Sequence, residues 1–180
     1  DGPLVHAHLP CLRTCDRRPE VALGMAICAA SLVLAMGASL WAAVVDARER
    51  TIPNAACVGV AAAGLLLGLV RARTGLLPAF PPLTRGLAAG LAELVAGTLL
   101  ELGYRRLSGR IGMGLGDVKF LSAWGCLIGA WNLVGFALAC LAGALFSLVR
   151  GERTFALGPW LAGSFCLVGV ALALTGLTAC

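Results

Sequence analysis

Asp46 and Asp117 are the residues of this chain best placed to do chemistry. Each sits at the edge of an otherwise apolar segment. Asp46 opens the run Asp46-Ala47-Arg48-Glu49-Arg50-Thr51-Ile52-Pro53-Asn54, Asp117 closes the glycine-rich run Gly112-Met113-Gly114-Leu115-Gly116-Asp117, and no other Asp occurs beyond residue 16. An ionisable side chain at membrane depth costs at least about 2.5 kcal/mol, so a carboxylate there marks a functional site by default. Two carboxylates brought together where the dielectric is low resist ionising together, and the pair tends to share one proton. That state suits peptide hydrolysis. The ionised member takes a proton from water, the protonated member polarises the scissile carbonyl, and neither a metal nor a nucleophilic side chain is needed. Glycines beside Asp117 let an extended substrate backbone approach the pair. The same acids also suit structural work, capping helix N-termini or pairing with arginine, and residue types alone leave both readings open. A Ser-His or Cys-His site in the core lacks a base, because His6 and His8 both lie in the N-terminal tail.

The elements that must position these acids are membrane helices. Of 180 residues, 59% are hydrophobic and 13% charged, against roughly 45–50% and 25% in soluble domains, and the mean hydropathy is +0.92. One crossing of the hydrocarbon layer takes about 20 apolar residues, so the expected fold is all-α, a polytopic transmembrane helical bundle of about six spans with no sizeable soluble domain. Residues 1–20 read as a polar N-terminal tail carrying Pro3, Pro10 and Pro19, and residues 21–180 as the membrane domain. The spans are expected at 21–45, 54–70, 86–103, 117–130, from near Asn132 to Val149, and 159–179. Pro53 suits a first helical turn. Pro78, Pro81 and Pro82 mark the longest loop, and the glycines at 109–116 a flexible or re-entrant one. Small residues such as Gly59, Gly64, Gly68, Gly86, Gly90 and Gly97 let helix backbones pack closely in lipid.

An even number of spans separates Asp46 from Asp117, which puts both on one membrane face together with the 150–158 loop. A net charge of +5 would suggest nucleic acid in a soluble protein. Here the arginines cluster between apolar segments, and membrane topology explains them better. Counted with Asp46 inside, Arg48, Arg50, Arg105, Arg106, Arg110, Lys119, Arg150 and Arg153 slightly outnumber Arg13, Arg17, Arg18, Arg71, Arg73 and Arg85. The first twenty residues hold Asp, Arg, Pro and His rather than an apolar run, and do not read as a cleavable signal peptide. Cys28, Cys57, Cys126, Cys140, Cys166 and Cys180 fall in apolar segments, where cysteine packs as a small hydrophobe. Cys11 and Cys15 follow His6 and His8, a conceivable zinc or disulfide cluster that lacks a second Cys pair. Glu93 and Glu101 are expected to pair with arginine or face the bundle interior.

Three segments in order carry a family resemblance: Asp-x-Arg-x-Arg-x-Ile-Pro-Asn at 46–54, Gly-x-Gly-Asp-x-Lys at 114–119, and Phe155-Ala156-Leu157-Gly158-Pro159-Trp160-Leu161. Together they resemble the type IV prepilin peptidases, intramembrane aspartic peptidases of the GxGD type, over residues 21–180. The resemblance implies an enzyme of the bacterial inner membrane, multi-pass, with its active site facing the cytoplasm. Its reaction would be removal of the short basic leader from prepilin or pseudopilin precursors. The implied catalytic pair is Asp46 and Asp117. Arg48, Arg50, Pro53, Asn54, Gly114, Gly116, Lys119, Gly158 and Pro159 would shape the site or contact substrate. Neither metal nor cofactor is implied, and the implied partners are the precursor and the lipid bilayer, with no nucleic acid. The insert that brings two Cys pairs and methyltransferase activity in larger members is absent or reduced to residues 1–20, so the short, peptidase-only form is expected. A small transporter or channel using the same acids as a proton or cation relay is the alternative function; a third, an inactive scaffold of a secretion machine, has no reason to hold acids at membrane depth, and Asp46 and Asp117 argue against it.

Overall fold

The computed structural model of the chain describes residues 18–109, 112–151 and 156–178. His6, His8, Cys11, Cys15, Glu152 and Cys180 lie outside them. The described residues form helices joined by short loops, with no strand: α1 (Arg18–Glu49), α2 (Asn54–Thr74), α3 (Leu83–Ser108), α4 (Leu115–Ile128), a 3₁₀ turn (Gly129–Trp131), α5 (Asn132–Arg150) and α6 (Gly158–Thr178). Only helices satisfy their own backbone in lipid, and most outward positions are apolar, among them Val33, Leu40, Leu100, Leu107, Leu148 and Leu167. This is a multi-pass membrane protein.

Helices overrun the apolar spans because hydropathy stops at the first charge whereas the hydrogen-bond ladder does not. Gly75, Gly109 and Gly151 end α2, α3 and α5 in the left-handed conformation, with φ of 71°, 64° and 66°, the αL cap that glycine adopts without strain. α1 ends differently. Arg50 takes φ 54° and its N–H donates to the Asp46 carbonyl at 2.9 Å, stopping the helix one turn beyond the aspartate.

α4 is the centre of the bundle. Its side chains are buried nearly all round, including Phe120, Trp124, Leu127 and Ile128, and it packs against α2 and α3. A helix apolar on every side belongs inside. Trp124 and Phe120 pack with tilted rings against Phe165 of α6, ring centroids 5.7 and 6.0 Å apart, while Trp124 Nε1 donates to Ser39 Oγ of α1 at 3.0 Å. On α3, Gly90 lies against the Ser122 carbonyl and Gly97 against Val118, and Ser122 Oγ donates to the Gly90 carbonyl at 2.7 Å.

The expectation of about six spans needs refining at α4. Among the described residues, five segments are long and apolar enough to cross a membrane, with Leu115–Arg150 counted as one of them. Alone, α4 has 14 residues and rises about 21 Å, short of the roughly 30 Å hydrocarbon layer. The loop after α2 makes up the difference by folding inward: Leu77 and Phe80 are buried, and Pro81 packs where Gly129, at φ 61°, turns the chain. Asn132, fully buried at the start of α5, donates from Nδ2 to the Leu121 carbonyl at 2.7 Å and to Glu93 Oε2 at 2.8 Å. Glu93 therefore faces the interior, as expected.

Candidate active site

α1 carries Asp46 at its last turn, and α4 carries Asp117 in its first. Asp46 is 6% exposed, and its Oδ2 accepts the backbone N–H of Gly158 at 2.9 Å, across 112 residues of chain. A Cβ on Gly158 would stand 2.6 Å from that oxygen, so the first residue of α6 can approach the acid only as glycine. Asp117 accepts the N–H of Gly114 through Oδ2 at 3.2 Å, the reach-back half of a capping box. Among the described residues, Oδ1 of each acid has no hydrogen-bond partner.

Both acids border one cavity of about 330 Å³, lined also by Arg50, Thr51, Ile52, Asn54, Gly114, Gly116 and Lys119. Lys119 Nζ donates to Asn54 Oδ1 at 3.2 Å, tying the start of α2 to the first turn of α4. Ile52 fills the space beside Gly116.

The remaining residues singled out in the sequence lie near this cavity without lining it. Arg48 is exposed on the outer side of α1. Pro53 precedes α2 with φ −64° and ψ 132°, and its carbonyl accepts from Ala56 and Cys57. Pro159 follows Gly158 in the first turn of α6. Thr51 and Ile52 line the cavity but were not singled out, although they fall between Arg50 and Pro53 in the same run. Glu101 pairs with Arg105 at 2.5 Å. Among the described residues, no three His, Cys, Asp or Glu side chains come together as a metal site.

The arrangement can hold an extended chain at the end of the bundle beside two acids, with a glycine loop for one wall and two cations on the rim. The fold and the site together define a multi-pass helical membrane protein with a paired-acid cavity. Residues 32–148 match the type IV leader peptidase family, and the chain belongs to it. It is similar to a prepilin leader peptidase/N-methyltransferase of Dickeya chrysanthemi, 30% identical over 149 residues that make up 78% of this chain and 50% of that protein. It is also similar to the leader peptidase HopD of Salmonella typhimurium, 36% identical over 136 residues, 58% of this chain and 85% of HopD. The chain thus spans half the length of the first relative and most of the second. No solved structure matches it.

Proposed function

We propose that this protein is an aspartic endopeptidase that removes the short basic leader from type IV prepilin or pseudopilin precursors at the cytoplasmic face of the bacterial inner membrane. The observation that carries the reading is the pairing of Asp46 and Asp117 on one cavity, each tethered through Oδ2 to a glycine amide from another part of the chain or the preceding loop.

With one proton between them, the ionised acid draws a proton from water as its oxygen attacks the scissile carbonyl carbon. The protonated acid donates to the carbonyl oxygen as charge develops there. Collapse of the tetrahedral species breaks the C–N bond, and the proton taken from water passes to the departing amine. Every atom of water ends in the products, the hydroxyl on the leader and the proton on the mature chain. Gly114, Gly116, Arg50, Asn54 and Lys119 border the path of the substrate backbone. The names of the relatives support prepilin-type substrates, whose apolar segment would lie in the same bilayer. Residues 21–180 form the peptidase unit in this reading.

Co-expression with a prepilin, followed by a mass-shift gel, tests it. Asp46→Asn and Asp117→Asn are each expected to slow cleavage on the order of 100- to 10,000-fold with membrane insertion unchanged. Wild-type cleavage by either variant refutes the pair as catalyst.

A further inference from the structure

A third carboxylate braces the loop that delivers Asp117. Glu101 of α3 is 3% exposed. Its Oε2 accepts the backbone N–H of Met113 at 2.7 Å, and its Oε1 accepts that of Gly112 at 3.3 Å and Nε of Arg105 at 2.5 Å. The next amide along the chain, that of Gly114, donates to Asp117 Oδ2. Three consecutive amides are thus divided between two carboxylates, the first two held by Glu101 and the third by Asp117.

This division has a mechanical consequence. Peptide units are planar, so anchoring the amides of 112 and 113 leaves two dihedral angles to set the direction of the Gly114 N–H. α4 begins only at Leu115, and its ladder reaches back no further than the Gly114 carbonyl, which accepts from Val118 at 3.2 Å, leaving the amides of 112 and 113 to Glu101. The Tyr104 ring completes the cradle: a Cβ on Gly112 would stand 2.8 Å from Tyr104 Cδ1 and 3.2 Å from Glu101 Oε2. Stability alone is a poor reason to keep the acid there, because a buried ion pair can often be exchanged for apolar residues at no cost.

We propose that Glu101 is a positioning residue for Asp117, clamping the 112–114 backbone so that the catalytic carboxylate is held in its working orientation. The assignment rests on the peptidase reading above. Misplacing a catalytic group by about 1 Å costs on the order of 100-fold, and a loosened loop is expected to act on the chemical step rather than on substrate binding.

The experiment compares purified, reconstituted wild type with Asp117→Asn, Glu101→Asp, Glu101→Gln and Glu101→Leu, measuring kcat and KM on a prepilin per amount of folded enzyme. Asp keeps the charge but is one methylene short of the loop, and Leu removes the acceptor. Both are expected to lower kcat about 10- to 100-fold while KM stays within about twofold. Gln keeps the length but only one acceptor oxygen, setting an NH2 donor against one of the two amides, and is expected to lower kcat by less than Leu does. If Leu fails to fold, the Asp and Gln variants decide. Wild-type kcat in Glu101→Asp or in Glu101→Gln overturns the clamp, because a purely structural role changes the yield of folded enzyme and not its kcat. Cleavage by Asp117→Asn at the wild-type rate would overturn the peptidase reading first, and this inference with it.

Discussion

Glycine amides orient both acids of the site, and at Gly158 the tolerance is nil. Its missing Cβ would fall 2.6 Å from Asp46 Oδ2 and 2.8 Å from Asp46 Cγ, so Gly158→Ala has to push Asp46 or the start of α6 away. We expect this variant to insert and fold but to cleave a prepilin on the order of 100-fold more slowly, measured by the same gel; unimpaired cleavage would show that the Gly158 contact is dispensable. Arg50 gives the opposite case. Its φ of 54° is a conformation glycine adopts freely and a β-branched residue does not. Arg50→Gly is therefore expected to leave the thermal midpoint in detergent unchanged or raised, and Arg50→Val to destabilise the protein by about 1–3 kcal/mol. An equal effect of the two would mean that the side chain, not the backbone, matters at this position. Asp46 and Asp117 were legible in the sequence because a charge in an oily segment stands out by its cost. For Glu101 the same rule supplied the arginine partner. It could not supply the Gly112 and Met113 amides, which lie 11 and 12 residues further on in a loop whose course no periodicity describes.

At the scale of elements, the position of Asp117 depends on how closely α3 approaches α4. A Cβ on Gly90 would meet the Ser122 carbonyl at 2.7 Å as well as Cys126 Sγ, and one on Gly86 would meet the Cys126 carbonyl at 2.5 Å. Backbone atoms cannot yield as a side-chain tip can, so Gly90→Leu is expected to part the two helices, lower stability by at least about 1–3 kcal/mol, and reduce cleavage with it. Gly37→Leu is the control, since nothing lies within 4 Å of that position. If detergent melting separates the two variants by less than a degree or so, helix contact at Gly90 is not what holds α4. The small-residue pattern makes this packing readable from the sequence. The length of α4 was not readable: a run without a charge from Phe120 to Val149 looks alike whether it crosses, breaks or dips. The break rests on contacts made by Pro81 and Asn132 with residues distant in sequence.

At the scale of the whole molecule, the reversal at Gly129–Trp131 decides which side of the membrane receives the start of α6. Were Leu115–Arg150 one uninterrupted crossing, Arg150 would emerge opposite Asp117. Gly158 could not then reach Asp46, because the seven residues from Gly151 to Leu157 extend at most about 25 Å and the hydrocarbon layer is about 30 Å thick. The observed 2.9 Å hydrogen bond between Gly158 and Asp46 requires α4 to descend and α5 to return. Thr51, in the loop after Asp46, and Arg150, at the end of α5, therefore share a face, and Arg73, at the end of α2, lies on the other. With Cys11, Cys15 and Cys180 replaced by serine, and the five remaining cysteines lying within the helices, a cysteine added at each of these three exposed positions can be challenged with a membrane-impermeant thiol reagent, against the parent without it as the blank. Thr51→Cys and Arg150→Cys are expected to react from the same side, in inverted vesicles if the site faces the cytoplasm, and Arg73→Cys only from the other. Labelling of Arg150→Cys together with Arg73→Cys would mean that α4 and α5 form a single span. The three segments of the site would then have to be brought together by some other path of the chain.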